Sequence, residues 1–141
     1  MTHIQQVHDV VARTLWGEAR GEGIRGQIAV AWVIRNRVQD AQPRSWWGEG
    51  YIGVCRKPWQ FSCWNLRDPN YPYVSGARPI PSAQLAQALA VAEQVMAGQV
   101  ADPTGGATHY HATHLSPPPA WTKDATRTVV LGGHVFFKNV A

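Results

Sequence analysis

The sequence predicts one α+β domain, mainly helical, closed by a small C-terminal β-hairpin or sheet. Three observations lead there. Apolar residues recur at helical spacing in two N-terminal segments and one later segment. A long aromatic stretch with few helix signals lies between them. Beyond Gly106 the pattern shifts to short β-branched and aromatic runs punctuated by Gly132-Gly133.

The first helix runs from about Gln5 to Ala19, where Val7, Val11 and Leu15 share a face. It should stop near Gly21, since Gly-Glu-Gly follows. A second helix covers about Ile24 to Val38. Its segment Ile28–Ile34 is apolar all round, which marks a helix buried on most sides. Residues 40–81 are rich in Pro and Gly and carry eight of the fourteen aromatic residues. A stretch of that length in a compact domain usually serves function, although simple core filling is the plainer reading of Trp46, Trp47 and Trp59. A third helix follows Pro81, with Ser82 as its N-cap and Gly98 as its stop. Ala107–His111 and Thr128–Leu131 read as extended, and Gly132-Gly133 turns the latter into His134–Lys138.

A chain of 141 residues suits a single domain spanning 1–141. With 45% apolar and 16% charged residues, a disordered protein is excluded. No apolar run approaches the roughly 18 residues of a membrane span. The start, Met1-Thr-His-Ile-Gln-Gln-Val-His8, lacks a basic segment followed by an apolar block. We therefore expect synthesis in a cytoplasm and, if the protein leaves, a route that needs no signal. The net charge of +4 favours anionic partners such as nucleic acid, acidic lipid or cell wall. The basic residues are scattered, however, with no basic run longer than Arg56-Lys57. Cys55 and Cys63 lie in the aromatic stretch and read either as a disulfide closing it or as two buried free thiols.

With only nine acidic residues, each can be weighed. Asp9, Asp40, Glu93 and Asp102 look like solvated charges. Glu18 and Glu22 differ, because Trp16-Gly-Glu-Ala-Arg-Gly-Glu-Gly23 places them where an amphipathic helix runs out among glycines. Desolvation beside Trp16 would favour the protonated form of Glu18 and leave a proton donor near neutral pH. Glycosidic cleavage needs such an acid at the leaving oxygen. The plain alternative pairs both glutamates with Arg20 or Arg25 at the surface.

The stretch Ala12–Arg37 resembles the opening of the cell-wall hydrolase family typified by the spore cortex-lytic enzyme SleB. The likeness continues through Pro58-Trp-Gln-Phe-Ser-Cys-Trp64, Asp102-Pro-Thr-Gly-Gly-Ala-Thr-His-Tyr-His111, Pro119-Ala-Trp121 and Leu131-Gly-Gly-His-Val-Phe136. The resemblance implies a lysozyme-like, lytic-transglycosylase-like domain that cleaves between N-acetylmuramic acid and N-acetylglucosamine. It also implies that the catalytic glutamate ends the first long helix, which is Glu18 here. Spore enzymes of this kind usually carry a secretory signal and a wall-binding domain. A lone catalytic domain is more similar to a phage endolysin, released to the periplasm through a holin.

Two chemical endings follow. A lytic transglycosylase re-uses the one carboxylate to close a 1,6-anhydro ring, whereas a hydrolase enlists a second carboxylate to activate water. Glu22 is the nearest acid in sequence for that second role, and Gly21 argues against both sharing one helix face. Gln60, Phe61, Ser62 and Trp64 are expected to line the substrate groove, since aromatic platforms beside amide and hydroxyl groups suit sugars. Tyr110, His111 and Trp121 are expected on the other wall. His109, His111 and His114 spell H-x-H-x-x-H, which raises zinc chemistry, but no carboxylate accompanies them and H-E-x-x-H is absent. No metal or other cofactor is expected. The partner is the glycan strand of peptidoglycan, met by a monomer without nucleic acid or stable membrane insertion. Rival classes are a non-catalytic wall-binding module and a nucleic-acid binder, the latter lacking a basic stripe.

Overall fold

The computed structural model describes residues 1–40 and 47–140. Trp46 lies outside the described residues. Helices α1 (His3–Ala19), α2 (Gly23–Gln39), α3 (Gly50–Arg56), α4 (Tyr71–Val74) and α5 (Ser82–Met96) precede strands β1 (His109–Ala112), β2 (Thr126–Leu131) and β3 (His134–Lys138). The α+β expectation holds: the domain is mainly helical, with a small antiparallel sheet at its C-terminal end.

α1 starts earlier than its apolar periodicity because Thr2 and Gln5 form a capping box. Gln5 N–H donates to Thr2 Oγ1 at 3.1 Å, and Thr2 N–H donates to Gln5 Oε1 at 2.8 Å. Its end is not a full break. Arg20–Glu22 tightens into a 3₁₀ turn, and Gly23, at φ +73°, admits the left-handed backbone from which α2 leaves. At α5 the capping position belongs to Pro81 rather than Ser82, which is the first helical residue. Its other end is a Schellman motif on Gly98, with Gly98 N–H donating to Val95 O and Gln99 N–H to Gln94 O.

α5 packs on both α1 and α2. Val11, Leu15, Val30, Ile34 and Val95 are fully buried, and Ala12, Ala31, Ala88 and Ala92 let the helices approach closely. Burial of each large side chain stabilises the fold by about 1.5–3 kcal/mol. The far side of α2 presents Ala29 and Val33 to Phe136 of the sheet. A helix covered by helices on one side and by a sheet on the other is apolar all round for that reason.

The 40–81 stretch contains more helix than its composition indicates: α3, α4 and a 3₁₀ turn at Ser62–Trp64. Val54, Cys55, Phe61, Cys63 and Val74 anchor it to the core. Trp47 is buried, as core filling requires, but Trp59 is 84% exposed and fills nothing. Cys55 and Cys63 are both buried free thiols.

Strand order is β1-β3-β2, with β3 antiparallel to both neighbours. Tyr110 pairs with Phe136 and His111 with Val135. Alternation therefore sends Tyr110, His134 and Phe136 to the helical side and His109, His111 and Phe137 to the other. Among the described residues, no helix is long and apolar enough to cross a membrane.

Candidate active site

Glu18 sits in the last turn of α1, half-buried, while Leu15 and Ala19 anchor that turn in the core. What reaches it depends on Gly17. A Cβ at position 17 would lie 2.6 Å from Cys63 Cβ and 2.8 Å from Cys63 Sγ. Only a glycine lets the Ser62–Trp64 turn rest against the helix. That contact brings Cys63 N–H to 3.2 Å from Glu18 Oε2, with Ser62 Oγ at a longer 3.5 Å. Tyr110 O–H donates to the other carboxylate oxygen, Oε1, at 3.1 Å. The turn is pinned further by Trp64 Nε1, which donates to Thr14 Oγ1 at 2.9 Å.

These groups have defined protonation states. Burial, reinforced by the Glu18 charge, holds the Tyr110 phenol well above its ordinary value of 10, so it stays a neutral donor. Burial first and Glu18 second push the Cys63 thiol far up, and burial pushes Cys55 up to about 12. Neither is a thiolate nucleophile near neutral pH. Arg37 is buried and donates through Nε to Thr108 O, with its guanidinium 5.2 Å from the Phe61 ring. Burial lowers its pKa to about 10, which still leaves a fixed cation at neutral pH within electrostatic reach of Glu18 and Tyr110.

Glu22 is held differently. Its Oε1 accepts from Gly133 N–H at 3.1 Å, and its Oε2 lies 2.8 Å from His134 Nδ1. The second contact is charge-to-charge when His134 is protonated. It is off the line of a well-formed hydrogen bond, since Oε2 is otherwise buried without a partner. Gly26, Gly132 and Gly133 make room for this carboxylate. Glu22 thereby staples the β2–β3 turn to the α1–α2 junction. The Tyr110 ring meets His134 edge-on at 4.8 Å, so Glu18, Tyr110, His134 and Glu22 form one continuous chain of contacts. Neither glutamate pairs with Arg20, whose guanidinium lies 3.9 Å over the Trp16 ring.

Residues 21–137 match the family model described as Cell Wall Hydrolase. The chain belongs to the cell wall hydrolase family. The SleB catalytic domain of Bacillus cereus is 27% identical, with a TM-score of 0.68 over 95% of this chain and 91% of that one. The catalytic domain of the germination-specific lytic transglycosylase SleB from Bacillus anthracis is 28% identical, with a TM-score of 0.69 over 95% of both chains. No curated protein matches significantly. Glu18 lies just before the span of the family model, whereas Glu22, Tyr110 and His134 lie within it.

In this cell wall hydrolase the expected groove residues divide. Ser62 is exposed beside Glu18, and Trp64 is half-buried next to it. Phe61 is 2% exposed and belongs to the core, so it presents no face to a ligand. The Gln60 amide is committed to two backbone carbonyls, Trp47 O at 2.9 Å and Val54 O at 2.8 Å, where it shapes the loop. Tyr110 reaches Glu18, but His111 and Trp121 do not share its wall. On the opposite face of the sheet His111 stacks on Phe137, and Trp121 meets the same ring edge-on. His109 joins them there, where burial lowers its pKa to about 4. Among the described residues, no group of three His, Cys, Asp or Glu side chains is placed to hold a metal.

Sequence reasoning missed Asp102, which is no solvated charge. Its carboxylate accepts from Thr104 N–H and Oγ1, Gly106 N–H and Asn36 Nδ2. It folds the turn that delivers β1, and Tyr110 with it, to Glu18. The Asx-turn composition of Asp102-Pro-Thr-Gly-Gly is the signal that could have revealed this. Cys63 N–H, a backbone donor, leaves no mark in the sequence.

Proposed function

We propose that the protein cleaves peptidoglycan glycan strands between N-acetylmuramic acid and N-acetylglucosamine as a lytic transglycosylase with Glu18 as its acid and base. Glu18 begins protonated and gives its proton to the bridging oxygen as the C1–O bond breaks. The ring becomes oxocarbenium-like. The resulting carboxylate then takes the proton of the sugar's 6-hydroxyl while that oxygen bonds to C1, closing the anhydro ring and restoring the acid. Tyr110 and Cys63 N–H steady the carboxylate between the two transfers. Ser62, Trp64 and the surfaces around them receive the sugars.

The observation that carries the single-glutamate ending is the placement of Glu22. Its two oxygens are engaged by Gly133 and His134 rather than turned toward a water beside Glu18. We propose a monomer that needs no cofactor. We further propose the biological setting of a phage endolysin, whose test is host lysis on co-expression with a holin.

The enzymatic test is mass spectrometry of fragments released from purified peptidoglycan by wild type and Glu18→Gln. General acid–base catalysis contributes about 10²–10⁴-fold, and the variant should lose that much. Anhydro-muropeptides that disappear in the variant support the proposal. Reducing-end products would replace it with a hydrolase, and intact glycan with wild type would leave a wall-binding module.

A further inference from the structure

A second binding feature lies beside the Glu18 site. Arg56, Pro58, Trp59, Trp64, Leu66 and Arg67 surround a cavity of about 470 Å³. Trp59 is 84% exposed and Leu66 79% exposed. The Trp59 backbone has φ +69°, a conformation that costs a bulky residue free energy and persists where the surrounding structure imposes it. The Arg56 guanidinium lies 4.9 Å over the Trp64 ring, which restrains it. Among the described residues neither Arg56 nor Arg67 is ion-paired with a carboxylate, and no acidic residue lines the cavity. Trp64 links the cavity to the acid. Its indole is anchored on Thr14, one turn of α1 before Glu18, and Ser62 and Cys63 of the same 3₁₀ turn touch Glu18.

We infer that this cavity is a subsite for the anionic peptide stem carried by the muramic acid residue. The inference rests on the glycan-cleavage reading above for the identity of the polymer. The sugar backbone of that polymer is a chain of uncharged N-acetylated rings, and its negative charges are the carboxylates of the peptide stems. Two guanidinium groups without acidic partners among the described residues match those carboxylates in charge and in planar, two-pronged geometry. The aromatic and aliphatic walls accept the methyl and methylene groups of the stem.

The test is calorimetric binding to the Glu18→Gln protein, which leaves the ligand uncut. The two probes are a disaccharide–tetrapeptide muropeptide and the same disaccharide without peptide. The muropeptide should bind more tightly. Adding Arg56→Gln and Arg67→Gln should weaken it by about tenfold or more, toward the bare disaccharide, whose affinity should not change. The pair Arg56→Lys and Arg67→Lys should recover part of the loss. Equal affinity for both probes, equal weakening of both, no weakening of either, or equal competition by a phosphate polymer would each overturn the inference. Binding is read apart from cleavage. A wild type that releases no glycan fragments yet prefers the muropeptide would sink the enzymatic reading and leave this one standing.

Discussion

Glu18 and Glu22 stand one helical turn apart in sequence at a single helix junction, yet their surroundings differ in kind. Glu18 meets three donors from two places: a phenol on β1, and a backbone N–H and a hydroxyl on the loop turn. Glu22 meets the backbone of the tight β2–β3 turn and the first side chain of β3. The first arrangement orients a half-buried carboxylate. The second ties one part of the fold to another. Of two identical side chains at one helix junction, one is cradled by a phenol and a loop turn and the other is a fastener, because of what the rest of the chain delivers to each.

The largest effect should come from filling the space at Gly17. In Gly17→Ala the new methyl would overlap Cys63 Cβ and Sγ, and overpacking of that kind costs about 1–3 kcal/mol. The Ser62–Trp64 turn must shift away from Glu18. We expect a Tm lower by several degrees and glycan cleavage reduced by about tenfold or more. Gly26→Ala, whose methyl would crowd Glu22 Cβ instead, should cost stability without comparable loss of activity. Thermal unfolding beside product release reads both variants. If the Gly17 variant cleaves normally, the turn does not position Glu18.

Removal of one donor should have a smaller effect. Tyr110→Phe keeps the ring against His134 and Phe136 but deletes the bond to Glu18 Oε1. Hydrogen bonds to charged groups contribute about 1.5–3 kcal/mol, so kcat should fall by about tenfold or more with KM little changed. Because the phenol is held well above 10, wild type should show no loss of activity from Tyr110 ionisation up to pH 10. A Tyr110→Phe protein with normal kcat would remove this residue from the acid's support.

What the sequence disclosed follows the range of the forces involved. Helical periodicity and glycine punctuation are local, so α1, α2 and α5 could be read, and so could the arrival of Glu18 at a helix end. The family likeness placed the same residue. Strand alternation is local too, and applied to His109–Ala112 it would have separated Tyr110 from His111. Chemistry-bearing residue types obscured that rule. Trp59 escaped because an aromatic residue is core by default, and only its exposure in the folded chain says otherwise. The partners of Glu22 lie 111 and 112 positions along the chain, and no window spans them.

The smallest effect tests the fastener directly. In Glu22→Gln the side-chain oxygen can still accept from Gly133 N–H, so the hairpin stays docked, while the charge facing His134 is gone. A partly buried polar contact of this sort is worth on the order of 1 kcal/mol, which corresponds to a Tm fall of roughly 2–6 °C. Activity should stay within about threefold, because His134 and Tyr110 remain in van der Waals contact and Glu18 keeps its own donors. The measurement is kcat on peptidoglycan together with the identity of the reducing ends. A folded Glu22→Gln protein with activity lost by 10² or more would assign that carboxylate to water activation. The two acids would then be a hydrolytic pair, and the contacts to Gly133 and His134 would describe only a resting position.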